Sequence, residues 1–341
     1  MRYSLIVPVY NRPDEVDELL ESLCSQTLKD FEVIIVEDGS QKPCKDVCDK
    51  YASILDLHYY YKENSGPGQS RNYGVERAQG DYVIILDSDV VLPTGYLAAV
   101  DNNVQCSMFN VQCFGGPDAA HPSFTPVQKA ISYSMTSFFT TGGIRGGKKK
   151  LDKFFPRSFN MGIRRDVYQQ LGGFSKMRFG EDVDFSYRIV EAGYQPQLFP
   201  EAWVWHKRRT DFRKFFRQVY NSGIARINLE KRHPGTMKLV HLLPMVFTLG
   251  VLGMLLLSVL SLLSPLTSHL SPLFLLPLLL YCLLLLIDST ILNKSLKVGL
   301  LSIPAAFTQL MGYGFGFIES WWKRCVLKQD EFTAFEKNFY K

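Results

Sequence analysis

Between residues 239 and 318 the chain is built mainly from Leu, Val, Phe and Ile with very few charges, and no other feature limits its possible folds so strongly. Three stretches, 239–263, 270–287 and 298–318, run 18 to 25 residues each. At ~1.5 Å rise per residue, helices of that length can cross the hydrocarbon core of a bilayer. Three such Leu-rich helices in succession are too many for a soluble core, so a membrane region of two to three hydrophobic helices is expected over 239–318. The third stretch, with Pro304, Gln309 and several glycines, is the weakest of them.

Basic residues surround these stretches. Lys207, Arg208, Arg209, Arg213, Lys214 and Arg217, then Lys231, Arg232 and Lys238, precede the first. Lys294 and Lys297 lie between the second and third, and Lys323, Arg324 and Lys328 follow the third. Cytoplasmic loops collect Lys and Arg, which asks for all three groups on one face. Three complete crossings would put the tail on the other face. One segment is therefore expected to be re-entrant or interfacial, and the sequence leaves open which.

Up to about residue 237 the chain mixes charged and apolar residues as a soluble domain does. Its net charge of +5 is modest, and no basic stripe alternates with stacking aromatics, which argues against nucleic acid as a partner. Seven cysteines, an odd number with no Cys-x-x-Cys pair, fit neither a disulfide framework nor a zinc site. Free thiols suit a reducing compartment. The chain opens on a strand pattern rather than a charged n-region and apolar h-region, so no signal peptide is expected. Together these place the protein in the cytoplasmic (inner) membrane, multi-pass, with its N-terminal domain facing the cytoplasm.

Residues 1–115 alternate short apolar strands (3–9, 31–37, 57–61, 81–86) with helical patterns. That is the signature of an α/β fold with a mostly parallel central sheet covered on both faces, in which ligands bind beyond the carboxyl ends of the strands. Those ends carry Pro8-Val9-Tyr10-Asn11, Glu37-Asp38-Gly39-Ser40 and Asp87-Ser88-Asp89. A second half, 116–230, holds a helical pattern at 127–138 and a Gly/Lys-rich segment, 142–150, read either as a lid over a phosphate-bearing ligand or as an idle loop. Residues 319–341 form a polar, aromatic tail. In extended backbone, Asp87 and Asp89 share a face with roughly 6–7 Å between their Cα atoms. Two carboxylates so placed repel unless a cation sits near them, and Mg²⁺ or Mn²⁺ prefers such oxygen ligands.

The sequence resembles the large family 2 of inverting glycosyltransferases, with a GT-A fold, over nearly all of residues 3–230. The resemblance is carried by Ser4 through Asn11, by Ser25-Gln26-Thr27 with Phe31 through Ser40, and by Gly66 through Gly74. It continues through Ala78-Gln79-Gly80-Asp81-Tyr82 leading into Asp87-Ser88-Asp89, then Phe159 through Arg165, and Gly180-Glu181-Asp182. It implies a nucleotide-diphosphate sugar donor, most often a UDP-sugar. Pro8, Val9, Tyr10, Asp38, Arg71, Asp87 and Ser88 would then bind the nucleotide. Asp89, with Asp87, would hold the metal, and some members add a histidine where His206 stands. Glu181 and Asp182 open a helix, where acids ordinarily serve as caps and dipole partners. The resemblance makes Asp182 the catalytic base and Glu181 its support, with Asp184 structural. The Gln-x-x-Arg-Trp block of processive synthases is missing from the stretch 215–223, which argues against a polymerase. Phe212, Phe216, Val219, Tyr220 and Ile227 instead form a helical stripe, suited to a membrane surface or to packing on the domain. The resulting expectation is transfer of one sugar to a lipid-linked or glycan acceptor in surface-glycan synthesis. The alternatives are a polyprenyl-phosphate sugar synthase, a nucleotidyltransferase and a non-catalytic nucleotide-sugar-binding membrane subunit.

Overall fold

Near-continuous runs of β-branched and Leu residues leave no polar face, so the strands they form must be covered on both sides. In the computed structural model, which describes residues 2–107, 110–141, 154–263 and 268–334, they are. In chain order the elements begin β1 (Tyr3–Val9), α1 (Pro13–Cys24), β2 (Phe31–Asp38), α2 (Lys45–Tyr51), β3 (Leu57–Lys62), α3 (Pro67–Val75), β4 (Tyr82–Leu86) and β5 (Val90–Val91). Then come α4 (Tyr96–Cys106), β6 (Cys113–Gly115), β7 (Asp118–Ala119), α5 (Pro126–Thr136), α6 (Phe138–Thr141), β8 (Asn160–Arg164), α7 (Arg165–Gln170) and α8 (Glu181–Glu191). The chain continues with β9 (Gln197–Leu198), β10 (Val204–His206), α9 (Phe212–Arg232), α10 (Leu243–Leu262), α11 (Ser271–Asn293) and α12 (Leu296–Trp321).

Two compact units result: residues Met1–His121 with Asp152–Lys207, and Pro122–Leu151 with Arg208–Lys341. The chain is thus cut differently from the expected boundary near 230, because α5, α6 and α9 group with the apolar helices.

The first unit is built on a seven-stranded sheet of order β3-β2-β1-β4-β8-β6-β9. The pairs among β1 to β4 are parallel, and β8 runs antiparallel to both neighbours. Alternation sorts the strand residues onto two cores. Leu5, Val7, Val33, Ile35 and Ile84 pack with Leu19, Leu20 and Leu23 of α1 and Leu97 and Val100 of α4. Ile6, Ile34, Val36, Val83 and Ile85 face Val75 of α3, Val167 of α7 and Phe185 and Ile189 of α8. A smaller sheet, β5-β10-β7, stands beside the carboxyl end of β4.

The second unit is helical. Among the described residues, three segments are long and apolar enough to cross a membrane: Leu239–Leu262, Ser268–Asn293 and Leu296–Val326, with mean hydropathy 2.4, 2.6 and 1.2. α5 starts with a capping box between Thr125 and Gln128, and packs Ala130 against Val298 and Ala305 of α12. The one acid of α11, Asp288, accepts a hydrogen bond from the Tyr133 hydroxyl at 2.7 Å, so this carboxyl within an apolar segment has a partner. The apolar stripe of α9 is covered by protein: Phe215 and Val219 pack with Ile131 and Met135 of α5. The Gly/Lys-rich segment 142–150 lies outside the described residues.

Candidate active site

β4 is a fully buried strand that ends at Leu86, so the next three residues, Asp87-Ser88-Asp89, emerge at the rim of the sheet. The chain then enters β5, whose Val90 and Val91 pair antiparallel with His206 and Trp205 of β10. The Lys207 N–H donates to the Asp89 carbonyl at 3.0 Å and continues that ladder. This register carries a side chain from 117 residues further along the sequence to the acidic turn. His206 Nε2 lies 3.2 Å from Asp89 Oδ1, and one ligand atom from each of Asp87, Asp89 and His206 falls within 4.8 Å of the others. The imidazole stacks on Phe159 with 4.9 Å between ring centres. Its Nδ1 faces the Asp118 carboxylate, 3.9 Å from Oδ2, the side on which ligating histidines commonly have a supporting carboxylate. Two carboxylates and one imidazole suit Mn²⁺, and the carboxylates alone would serve Mg²⁺. The residues present therefore fit a divalent ion.

A second charged group adjoins this one. Arg71 of α3 is 3% exposed, stands over the Phe174 ring, and donates to Asp87 Oδ1 at 2.8 Å and to Glu181 Oε1 at 3.0 Å. One guanidinium thus ties the acidic turn to the first residue of α8. That helix starts after Gly180, whose φ of +83° is a left-handed conformation costly for any side chain with a Cβ. Glu181 and Asp182 follow in its first turn, both buried, where the helix dipole favours their negative charge. Asp182 Oδ2 accepts from Arg157 Nε at 2.6 Å, and its Oδ1 accepts the Val183 N–H at 2.9 Å. Burial would raise the Asp182 carboxyl, but Arg157, then Arg71 and the Val183 N–H, outweigh it and hold it below the usual carboxylate range. Glu181 goes the other way. Burial pushes it up to about 7, against the pull of Arg71 and with the repulsion of Asp182. Asp184 is occupied with Arg188 Nε at 3.1 Å, and Arg188 in turn holds the carbonyls of Leu171 and Gly173.

The residues expected to bind the nucleotide line the same edge. Pro8 and Val9 close β1 in register with Val36 and Glu37, and Tyr10 lies just beyond. Asn11, at φ +55°, donates its N–H to Ser40 Oγ and accepts the N–H groups of Gln41 and Lys42, which joins the two strand-end loops. Asp38 is 2% exposed; Ser65 N–H and Gly66 N–H each donate to it at 2.9 Å, and Lys62 adds an ammonium. In this state its carboxylate holds the loop that leads into α3. Ser88 is buried between the two acids of the turn.

Residues 4–172 match the family model described as Glycosyl transferase family 2. The chain carries a glycosyl transferase family 2 domain. Over 249 residues, 68% of this chain and 48% of the relative, it is 26% identical to a pre-mycofactocin glycosyltransferase of Mycobacterium tuberculosis. Over 93 residues, 26% of this chain and 16% of the relative, it is 38% identical to a poly(ribitol-phosphate) beta-N-acetylglucosaminyltransferase of Staphylococcus aureus. The chain spans between 13% and 48% of the length of the curated relatives it matches. A mannosyltransferase of Pyrobaculum calidifontis, solved with GDP-Man and Mn²⁺, superposes with a TM-score of 0.57 at 16% identity over 95% of this chain and 88% of that one. That likeness supports the GT-A-type fold of the domain.

Two charged residues of the family 2 domain escaped the reading of the sequence. Arg157 stands in a stretch with no periodic pattern, and Asp118 in a two-residue strand. Nothing in the local sequence marks either, since both matter only through what the fold brings to them. Arg71, expected at the nucleotide or its phosphates, is engaged with two carboxylates of the protein, Asp87 and Glu181.

Proposed function

We propose that this protein is a membrane-anchored, metal-dependent, inverting glycosyltransferase. It moves one sugar from a nucleotide-diphosphate sugar, a UDP-sugar by preference, to a hydroxyl of a lipid-linked or glycan acceptor in cell-surface glycan synthesis. One observation carries this reading: Arg71 bridges Asp87 of the acidic turn and Glu181 of the acidic helix start, so donor-side and acceptor-side chemistry meet at one sheet edge.

Asp87, Asp89 and His206 would hold the divalent ion, which when bound neutralises the departing diphosphate. Pro8, Val9, Tyr10, Asp38 and Ser88 seat the nucleoside and ribose beyond the strand ends. Asp182, kept ionised by Arg157, accepts the proton of the acceptor hydroxyl as that oxygen attacks the anomeric carbon from the face opposite the leaving group. A single displacement of this kind inverts the anomeric centre. Glu181, whose carboxyl is pushed up to about 7, is able to donate a hydrogen bond to the acceptor while Asp182 takes its proton. Seven free thiols and the basic clusters beside the apolar helices support a catalytic domain on the cytoplasmic face.

The test is a panel of nucleotide sugars given to purified protein with Mg²⁺, with Mn²⁺ and with chelator. Metal-dependent turnover of one donor is expected. Binding of a donor without turnover across the panel, acceptors included, would overturn the proposal.

A further inference from the structure

Three apolar helices cannot be reconciled with three crossings when basic residues precede the first, lie between the second and third and follow the third, and the packing within the helical unit shows which helix is different. α12 runs beside α9, and both run in the same direction. Phe212 of α9 clusters with Val298, Leu301 and Ala305 of α12. Further along, a Cβ on Gly312 would come within 2.6 Å of Val219, and one on Gly316 within 2.0 Å of the Tyr220 carbonyl. Ser320 Oγ then donates to the Ile224 carbonyl at 3.3 Å. The two backbones can approach this closely because the meeting points are glycines.

α9 is not a membrane span. Among its 21 residues are Arg213, Lys214, Arg217, Arg226, Glu230, Lys231 and Arg232, and charged side chains resist burial in hydrocarbon. A helix packed lengthwise on α9 shares its orientation. α12 also differs in composition, with a mean hydropathy of 1.2 and 44% of its apolar window buried, against 22% and 11% for the other two segments.

α10 and α11 behave as a hairpin that meets α12 at its open end. Thr248 and Pro244, at the start of α10, touch Gly314. Ser289, near the end of α11, shares a hydrogen bond with Ser302 at 2.6 Å. Away from α12 the hairpin is clasped by Ser258 and Ser271 at 2.7 Å, while Leu256, Leu262, Leu273 and Leu279 stand 59–62% exposed. The tail after α12 turns back along α9. Glu331 pairs with Arg232 at 2.8 Å, and the Ala334 N–H donates to Asn221 Oδ1 at 2.9 Å.

We propose that α10 and α11 alone cross the bilayer, that α12 lies with α9 along the membrane–water boundary, and that the tail remains on α9's side of the membrane. The lipid headgroup zone is then the partner of the α9–α12 layer. Trp321 and Trp322, about half exposed, sit at the end of α12 as interfacial anchors. Lys238, Lys294, Lys297, Lys323, Arg324 and Lys328 all fall on one face, so the charge rule and the crossings agree.

This inference rests on the membrane-anchored reading above but not on its chemistry. The test is peptide-resolved labelling of the full chain in sealed vesicles of known orientation with a membrane-impermeant maleimide. Native Cys325 is exposed, and Ser268→Cys supplies a thiol at the far end of the hairpin. The two are expected to label from opposite faces. Should Cys325 fail to react, Lys328→Cys gives the same readout. Labelling of both positions from one face, with the protein resisting an alkaline wash, would overturn the two-crossing arrangement while leaving anchoring and catalysis standing. Release of the protein by the wash would overturn the anchoring as well.

Discussion

Replacing Asp182 with asparagine is expected to separate the proposed chemistry from folding. A positioned general base contributes about 10²–10⁴-fold in rate, or ~2.7–5.5 kcal/mol at ~1.36 kcal/mol per tenfold. The structural cost is smaller, and the geometry says why. The carboxylate accepts two hydrogen bonds, from Arg157 at 2.6 Å and from Val183 at 2.9 Å. An asparagine oxygen can keep one of them. Breaking a sealed ion pair costs about 3–5 kcal/mol, but the Arg157 side chain is 40% exposed and can turn to water. The loss should therefore approach that of a surface pair, ~1 kcal/mol or less, a fall of a few degrees in thermal midpoint. Transfer rate, nucleotide affinity by calorimetry with divalent metal, and thermal midpoint are measured on the same preparation. Asp182→Asn should lower kcat at least 100-fold while nucleotide affinity stays within about threefold. A fall in kcat of under tenfold in folded protein would remove Asp182 from its proposed role and point to Glu181.

Other perturbations test other links. Glu181, raised by burial to about 7, contributes stability that is complete below its ordinary value of 4.5 and is lost as pH rises through about 7. Wild-type thermal midpoints should decline across that window; Glu181→Gln should flatten the decline, and an unchanged profile would refute the shift. Arg157→Gln removes the charge that holds Asp182 down, so the acid limb of the rate profile should move to higher pH; a limb that stays put would free Asp182 from Arg157. Asp118→Asn removes the carboxylate that faces His206 Nδ1 and should weaken Mn²⁺ binding by about 10–100-fold, and unaltered affinity in a titration would leave Asp118 without a supporting role behind His206. Gly312→Leu forces a side chain onto Val219 and should destabilise by about 1–3 kcal/mol. Gly253→Leu, at a position with open space around it, should be near neutral, and equal effects of the two would undo the account of the α9–α12 seam.

What could be read from the sequence was whatever a local run of residues determines. β1, β2 and β4 announce themselves as apolar runs, and the turn residues after them fix where the sheet edge lies. α9 and α5 are visible as periodic stripes, although the stripe of α9 turns out to face α5 and α12. Contacts made by register were not legible. His206 reaches Asp89 only because β10 pairs with β5, and strands of three and two residues carry no periodic signal. Arg157 meets Asp182 through the fold alone. The weak apolarity of the third segment was visible, but its reason, glycines pressed against a charged helix, depends on a partner about 90 positions away.

The charges at the sheet edge bear on what a cation would contribute to the proposed transfer. Asp87, Asp89, Glu181 and Asp182 face Arg71 and Arg157, and each of these arginines is already committed to them. Arg12, 3.8 Å from Asp89, is divided between that residue and Glu15. A diphosphate arriving at this edge would meet carboxylates with no uncommitted arginine among these to receive it. A divalent ion at Asp87, Asp89 and His206 reverses the local sign, since bound cations are often the largest charge in such a site. On this reading the ion governs donor binding as well as leaving-group departure, so chelation should abolish nucleotide affinity and not only turnover. Nucleotide bound equally tightly in chelator would separate the acidic turn from the donor site and leave the ion without a role in recognition.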